Sequence, residues 1–176
     1  MVGKEKAMLK KRVLVVAVHP DDETLGCGGT ILAHQAAGHD VYCVFCTAMS
    51  SEDGFSPETI AKRAEEVAIV SALYGFKETF ELGLNALHVD EYSFTELVGK
   101  LSAVFKAIEP HTVYMPFCYD VHSDHRKLFE AAYSCTKNFR YPSVKKVLMM
   151  ETLSETEFAL SKPDTTFVPN TFVDIS

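Results

Sequence analysis

Six consecutive apolar residues, Val13 to Val18, open the pattern. Their number and β-branched content predict a strand buried on both faces. It stops at His19-Pro20, where Pro20 cannot donate to a sheet ladder. Three acids follow, Asp21, Asp22 and Glu23, then Gly26, Gly28 and Gly29, and ILAHQAA reads as a helix. Gly38-His39-Asp40 is a turn and Val41 to Thr47 a second strand. Ala48 to Pro57 is a polar loop containing Gly54, and Pro57 suits the first turn of a helix. Ile60, Ala64, Val67, Ser71 and Tyr74 keep helical spacing until Gly75. Thr79 to Leu82 is a short third strand, and after the polar GLNALHVDEYS the stripe Leu97, Leu101, Val104, Phe105, Ile108 predicts a helix that stops at Pro110. Thr112 to Met115 is a fourth strand, ended by Pro116; Phe117 to Asp124 is its loop, and His125 to Phe139 reads as helix. Val147 to Met150 gives a fifth strand, and the remainder is mostly loop with a last strand expected at Thr171 to Ile175.

Strand and helix alternate throughout. That order predicts an α/β domain: a doubly wound, mostly parallel sheet with helices on both faces and strand order 3-2-1-4-5. The chain reads as a single domain over residues 1–176, with residues 1–11 expected to be flexible. In this topology the first and fourth strands are neighbours where the winding reverses, so the loop after Val18 meets the loop that reads YDVHSDHR.

Composition narrows the function classes. A formal net charge of −7 with no basic cluster argues against nucleic-acid binding. The start, MVGKEKAMLKKR, lacks the apolar core of a signal peptide, and no apolar run approaches the length of a membrane span, so a cytoplasmic location is expected. The five cysteines include Cys43 and Cys46, spaced as CxxC within a predicted strand. Positions i and i+3 of a strand point to opposite faces, which predicts core-filling reduced thiols in place of a redox or metal pair.

The chemistry concentrates at the two loops. Three adjacent acids repel one another unless a cation or a task holds them together. A catalytic divalent metal needs about three protein ligands and an open position. His19 and Asp22 from one loop and a His from the other supply two nitrogens and a carboxylate. Asp21 is left free beside them, where a general base would sit, while the second His and Asp124 are left to pair as imidazole and orienting carboxylate. A lone His at a strand end is usually a hydrogen-bonded loop residue, and HPDDE alone could be an acidic helix start favoured by the dipole. Two such clusters on loops that the topology makes adjacent outweigh that reading; His34, His39, His88 and His111 are read as ordinary surface or loop residues.

AVHPDDETLGCGGTI and DVHSDHR, with the helix RAEEVAIVSALYG, resemble the LmbE-like (PIG-L-like) N-acetylglucosaminyl deacetylases, zinc-dependent amide hydrolases on a Rossmann-like sheet. The resemblance implies zinc held by His19, Asp22 and His125, and Asp21 as general base; another divalent cation such as Fe2+ is left open by the ligand set. It implies that His122 stabilises the oxyanion and protonates the leaving amine, oriented by Asp124. Arg63 and Asp120 match positions it implies are at the substrate. Ser123 stands where relatives usually carry Pro, and relatives continue beyond FVPNTFVDIS and help close the site.

The expected reaction is removal of an N-acetyl group from an N-acetylglucosamine-type amino sugar or its conjugate, by a chain that is a small-molecule enzyme and a candidate homo-oligomer. The competing readings are an amidase on another small amide (a thiol conjugate or glycopeptide), a non-haem iron oxygenase using the same facial triad, and a metal-containing sugar-binding protein without turnover. The glycines are no dinucleotide fingerprint, because acids intervene and the second strand ends in Thr47.

Overall fold

The apolar run is the centre of the sheet. In a computed structural model that describes residues 10–160 and 162–176, β1 (Arg12–Ala17) pairs in parallel with β2 (Asp40–Ala48) on one side and β4 (Thr112–Met115) on the other. β3 (Glu78–Asn85) and β5 (Lys146–Met149) complete the order β3-β2-β1-β4-β5, all parallel. Val13 to Val18 are fully buried because both neighbours and both faces are covered.

Alternation along β1 divides the core into two layers. Leu14 and Val16 pack with Val44, Cys46, Val113 and Met115 beneath α3 (Phe94–Ile108) and α4 (Ser123–Ser134). Val13, Val15 and Ala17 pack on the other face with Cys43, Phe45 and Tyr114, under α1 (Asp22–Ala36) and the end of α2 (Pro57–Tyr74). The apolar stripe of α3 buries all five predicted positions, each contributing about 1.5–3 kcal/mol of transfer free energy. Cys43 and Cys46 fall in opposite layers as free thiols, and burial pushes both pKa values up.

Several boundaries differ from the sequence expectation, and β3 runs on to Asn85, three residues past the expected Leu82. α1 begins at Asp22, well before ILAHQAA, and bends at Cys27, whose φ of −154° is non-helical. Glycine at position 28 leaves room there for Tyr74 of α2, since a Cβ would lie 2.6 Å from its hydroxyl. α4 starts at Ser123 and ends at Ser134, leaving Phe139 exposed. Thr171 to Ile175 form no strand; the tail finds no ladder partner and lines a cavity of about 550 Å³ with α1 and β5, its Ile175 side chain against Gly29. The flexible segment expected over residues 1–11 falls mostly on residues outside those described.

α2 is capped at both ends: Ser56 Oγ accepts from the Thr59 N–H, Pro57 opens the first turn, and Gly75 closes it in the left-handed region. Yet Tyr74 is its one buried residue among those described, and Ile69 and Leu73 face solvent. Val67 and Val70 pack on the sheet-side core, while Ile60, Arg63 and Ala64 of the first half line a cavity with Phe45 and Thr47 of β2 and with His19 beyond β1.

Candidate metal centre

β1 ends two residues before His19, and the turn Asp22 N–H to His19 C=O starts α1. Asp22 Oδ2 in turn accepts the His19 N–H at 2.8 Å, which fixes the loop. From β4, the chain turns through Asp120 and enters α4 with His122 as N-cap, its ring Nδ1 accepting the Asp124 N–H at 3.1 Å. Because β1 and β4 are neighbours, the two loops meet.

Each of two imidazoles is backed by a buried carboxylate. His125 Nδ1 lies 2.9 Å from Asp120 Oδ2, and His19 Nε2 lies 3.2 Å from Asp124 Oδ2. Those partners assign the ring protons to the outer nitrogens. His125 Nε2 and His19 Nδ1 are then lone pairs, 3.4 Å apart, and His125 Nε2 is 3.3 Å from Asp22 Oδ2. Three acceptors facing one another need a cation between them, and two imidazole nitrogens with one carboxylate oxygen suit a divalent metal. Without a metal a proton takes that role: burial works against it, but the hydrogen bonds to Asp120 and Asp22 prevail and His125 is pushed up to about 9. Asp22 is lowered, its burial outweighed by His125. A second grouping, His19, His122 and Asp124, shares His19, and its Asp124 Oδ2 already accepts from the Leu87 N–H at 2.8 Å.

Asp21 stands beside the three, its pKa raised by burial and by Asp22 and held back by Arg63 and His19. His122 is lowered by burial and by His19. Both line a cavity of about 530 Å³ that runs beneath α2 past Arg63, whose Nη1 donates to the Pro20 carbonyl at 3.3 Å and whose Nε is 3.7 Å from Glu66.

Two carboxylates have partners that differ from the expected ones. Asp120 is fully buried, with Oδ2 on His125 and Oδ1 accepting the Thr156 hydroxyl at 2.7 Å, so its carboxylate stands behind His125. Asp124 Oδ2 is 4.0 Å from His122 Nδ1 and makes its hydrogen bonds to His19 and Leu87, so it backs His19, not His122. Leu87, in the left-handed region at φ 67°, and Thr156 of α5 (Leu153–Thr156) escaped the sequence reading. Leu87 follows the end of β3, a position the strand-end rule could have flagged; nothing marked Thr156. His88, read as an ordinary loop residue, bridges Glu91 at 2.8 Å and Asp53 at 3.4 Å, joining the loops after β2 and β3.

The GlcNAc-PI de-N-acetylase (PIG-L) family matches residues 14–136. A 1D-myo-inositol 2-acetamido-2-deoxy-alpha-D-glucopyranoside deacetylase of Mycobacteroides abscessus is 32% identical over 151 residues, covering 67% of this chain and 52% of that protein. The diacetylchitobiose deacetylase of Thermococcus kodakarensis is 29% identical over 179 residues, 94% of this chain and 64% of that protein. Among solved structures, the N,N'-diacetylchitobiose deacetylase of Pyrococcus horikoshii shares the fold, with a TM-score of 0.66 at 24% identity over 81% of this chain and 61% of that one. The chain therefore spans less than two thirds of the length of these relatives. The match across both loops and the sheet that carries them assigns the chain to the GlcNAc-PI de-N-acetylase family.

Proposed function

We propose that this chain is a metal-dependent amide hydrolase that removes the N-acetyl group from an N-acetylglucosamine-type amino sugar or its conjugate, with zinc as the ion. The observation that carries the reading is the convergence of His19 Nδ1, His125 Nε2 and Asp22 Oδ2, with an unliganded carboxylate, Asp21, next to it on the cavity wall. His19, Asp22 and His125 would hold the ion, which supplies Lewis acidity and lowers the pKa of water to about 7. Asp21 accepts the proton of the attacking water. His122 Nδ1 is occupied as an acceptor, so its Nε2 carries a proton to donate toward the developing oxyanion. The proton taken up by Asp21 is then available to the departing amine. The reading includes a reducing, cytoplasmic setting, supported by five free cysteines. Among the described residues no helix is long and apolar enough to cross a membrane.

The test is release of free amine from N-acetylglucosamine, diacetylchitobiose and an inositol glycoside of N-acetylglucosamine by protein reconstituted with zinc or with Fe2+. Turnover of at least one by the zinc form is expected. Stoichiometric zinc with no amine from any of them would overturn the reading in favour of a binding protein.

Arg63 gives a sharper expectation. A base works ionised, and Arg63 favours the ionised form of Asp21. Arg63→Ala therefore raises the Asp21 pKa further and moves the acidic limb of the kcat/KM profile to higher pH. Loss of a charged donor to substrate also lowers kcat/KM by about 10–100-fold near neutrality. Zinc content and Tm stay unchanged. An acidic limb that does not move would leave Arg63 as a surface partner of Glu66.

A further inference from the structure

Glu23 is the third acid of the loop, and neither the metal set nor the reaction uses it. It is 2% exposed and does not line the cavity. Its two carboxylate oxygens are both engaged: Oε1 accepts the Thr24 hydroxyl at 2.7 Å and Oε2 accepts the Asp21 N–H at 3.1 Å. Asp21 is the residue that needs such support. Its φ of 148° with ψ of −23° lies where side chains rarely sit, and such backbone persists only when the surroundings over-determine it. On its carbonyl side, the Thr24 and Leu25 N–H groups, the first turn of α1, donate to Asp21 O at 2.9 Å each. On its amide side, the Asp21 N–H donates to Glu23. The carboxylate of Glu23 is itself steadied from α2, because the Tyr74 hydroxyl donates to Thr24 Oγ1 at 3.2 Å. The bare α-carbon of Gly28 makes room for that hydroxyl.

We propose that Glu23 is the positioning residue of Asp21: its buried carboxylate fixes the strained peptide that aims the Asp21 carboxylate into the cavity, and Tyr74 and Thr24 hold Glu23 in place. The inference rests on Asp21 as the base of the proposed hydrolysis. The plainer role for Glu23 is an acid in the first turn of α1, favoured by the helix dipole. The two roles ask for different atoms. A dipole partner needs the charge, whereas a positioning residue needs an acceptor oxygen at the Asp21 N–H. Glutamine supplies the second without the first.

The experiment compares Glu23→Gln, Glu23→Leu, Tyr74→Phe and Asp21→Asn in the full, zinc-loaded chain, following kcat, KM, zinc content, Tm and hydrogen exchange of the Asp21 amide. A displacement of the reacting groups by about an ångström costs on the order of 10²-fold, so Glu23→Leu should lose about that much in kcat with KM and zinc content little changed. Its Asp21 amide should exchange fast. Glu23→Gln should restore most of kcat and the slow exchange even if Tm falls, and Tyr74→Phe should give a smaller loss of the same kind. Glu23→Leu with wild-type kcat and a protected amide overturns the proposal, as does a Gln variant that loses as much as Leu. Should Glu23→Leu fail to fold, the Gln and Tyr74→Phe variants decide: slow exchange and near-full kcat in the first with a partial loss in the second support it, and any other pattern overturns it. Asp21→Asn at the wild-type rate would instead remove the base reading, while the exchange data still report the hydrogen bond.

Discussion

His125→Ala will empty the metal centre: zinc falls from about one ion per chain to a trace, and turnover falls with it. The residue supplies one of three converging ligand atoms, and its loss leaves two carboxylates, Asp22 and Asp120, facing a buried gap. Removing one partner of a buried charged cluster costs about 3–5 kcal/mol, so Tm should fall as well. Asp120→Asn separates the metal effect from the fold effect. It keeps the shape and an acceptor for Thr156 but weakens the carboxylate behind His125, and about 10–100-fold in zinc affinity should go. The pH dependence gives a third reading. In the metal-free protein His125 is pushed up to about 9. Below that pH an incoming ion must displace its proton, so zinc affinity should rise about tenfold per pH unit and level off above about 9. The same protonated histidine stabilises the metal-free fold at lower pH, and that contribution disappears as pH climbs through about 9. Stoichiometric zinc in purified His125→Ala, measured by metal analysis, would remove the ligand assignment.

Asp21→Asn will hold zinc and lose the reaction, while its neighbour Asp22→Asn will lose zinc. The two side chains are chemically the same and differ by where they stand. Asp22 Oδ2 is tied to the His19 N–H and faces His125; the carboxylate of Asp21 lines the cavity and is raised by burial and by Asp22. An amide is a poor ligand, so zinc affinity tests Asp22. An amide is no base, so the rate tests Asp21, and general-base contributions of about 10²–10⁴-fold set the expected loss. The acidic limb of the pH–rate profile should disappear or move in Asp21→Asn, since a raised carboxyl must ionise before it can take a proton. Zinc lost from Asp21→Asn and kept by Asp22→Asn would exchange the two roles. Full activity and full zinc in both would remove the mechanism altogether.

Much of this was legible in the chain itself. The Val13–Val18 run, the turns at Gly38 and Gly75 and the stripe of α3 lead to a parallel sheet of order 3-2-1-4-5, and that order alone brings HPDD beside HSDH. Which carboxylate backs which imidazole was not legible. Asp124 precedes His125 and lies two residues from His122, yet its side chain reaches across to His19 and the Leu87 amide, a choice made by the loop after β3. Asp120 reads by resemblance as an acid at the substrate, and nothing local shows that Thr156, thirty-six positions on, closes over one of its oxygens. Local pattern carries the period of an element; it does not carry the rotamer of a polar group whose partners come from other elements. The missing last strand has a similar cause. Thr171 to Ile175 have strand-like residues, but β-pairing is decided by where the tail runs, and it runs along α1.

The contact between Gly28 and Tyr74 couples the side chains that these two positions can carry together. A methyl group at 28 would lie 2.6 Å from the hydroxyl oxygen but 3.6 Å from the ring carbon that bears it. Alanine at 28 therefore displaces a tyrosine at 74 and is compatible with a phenylalanine there. A lineage that drops the hydroxyl first can accept the methyl at no steric cost, whereas the reverse order passes through a crowded intermediate. The two positions should drift as a pair and in one direction, although they stand forty-six residues apart in the chain.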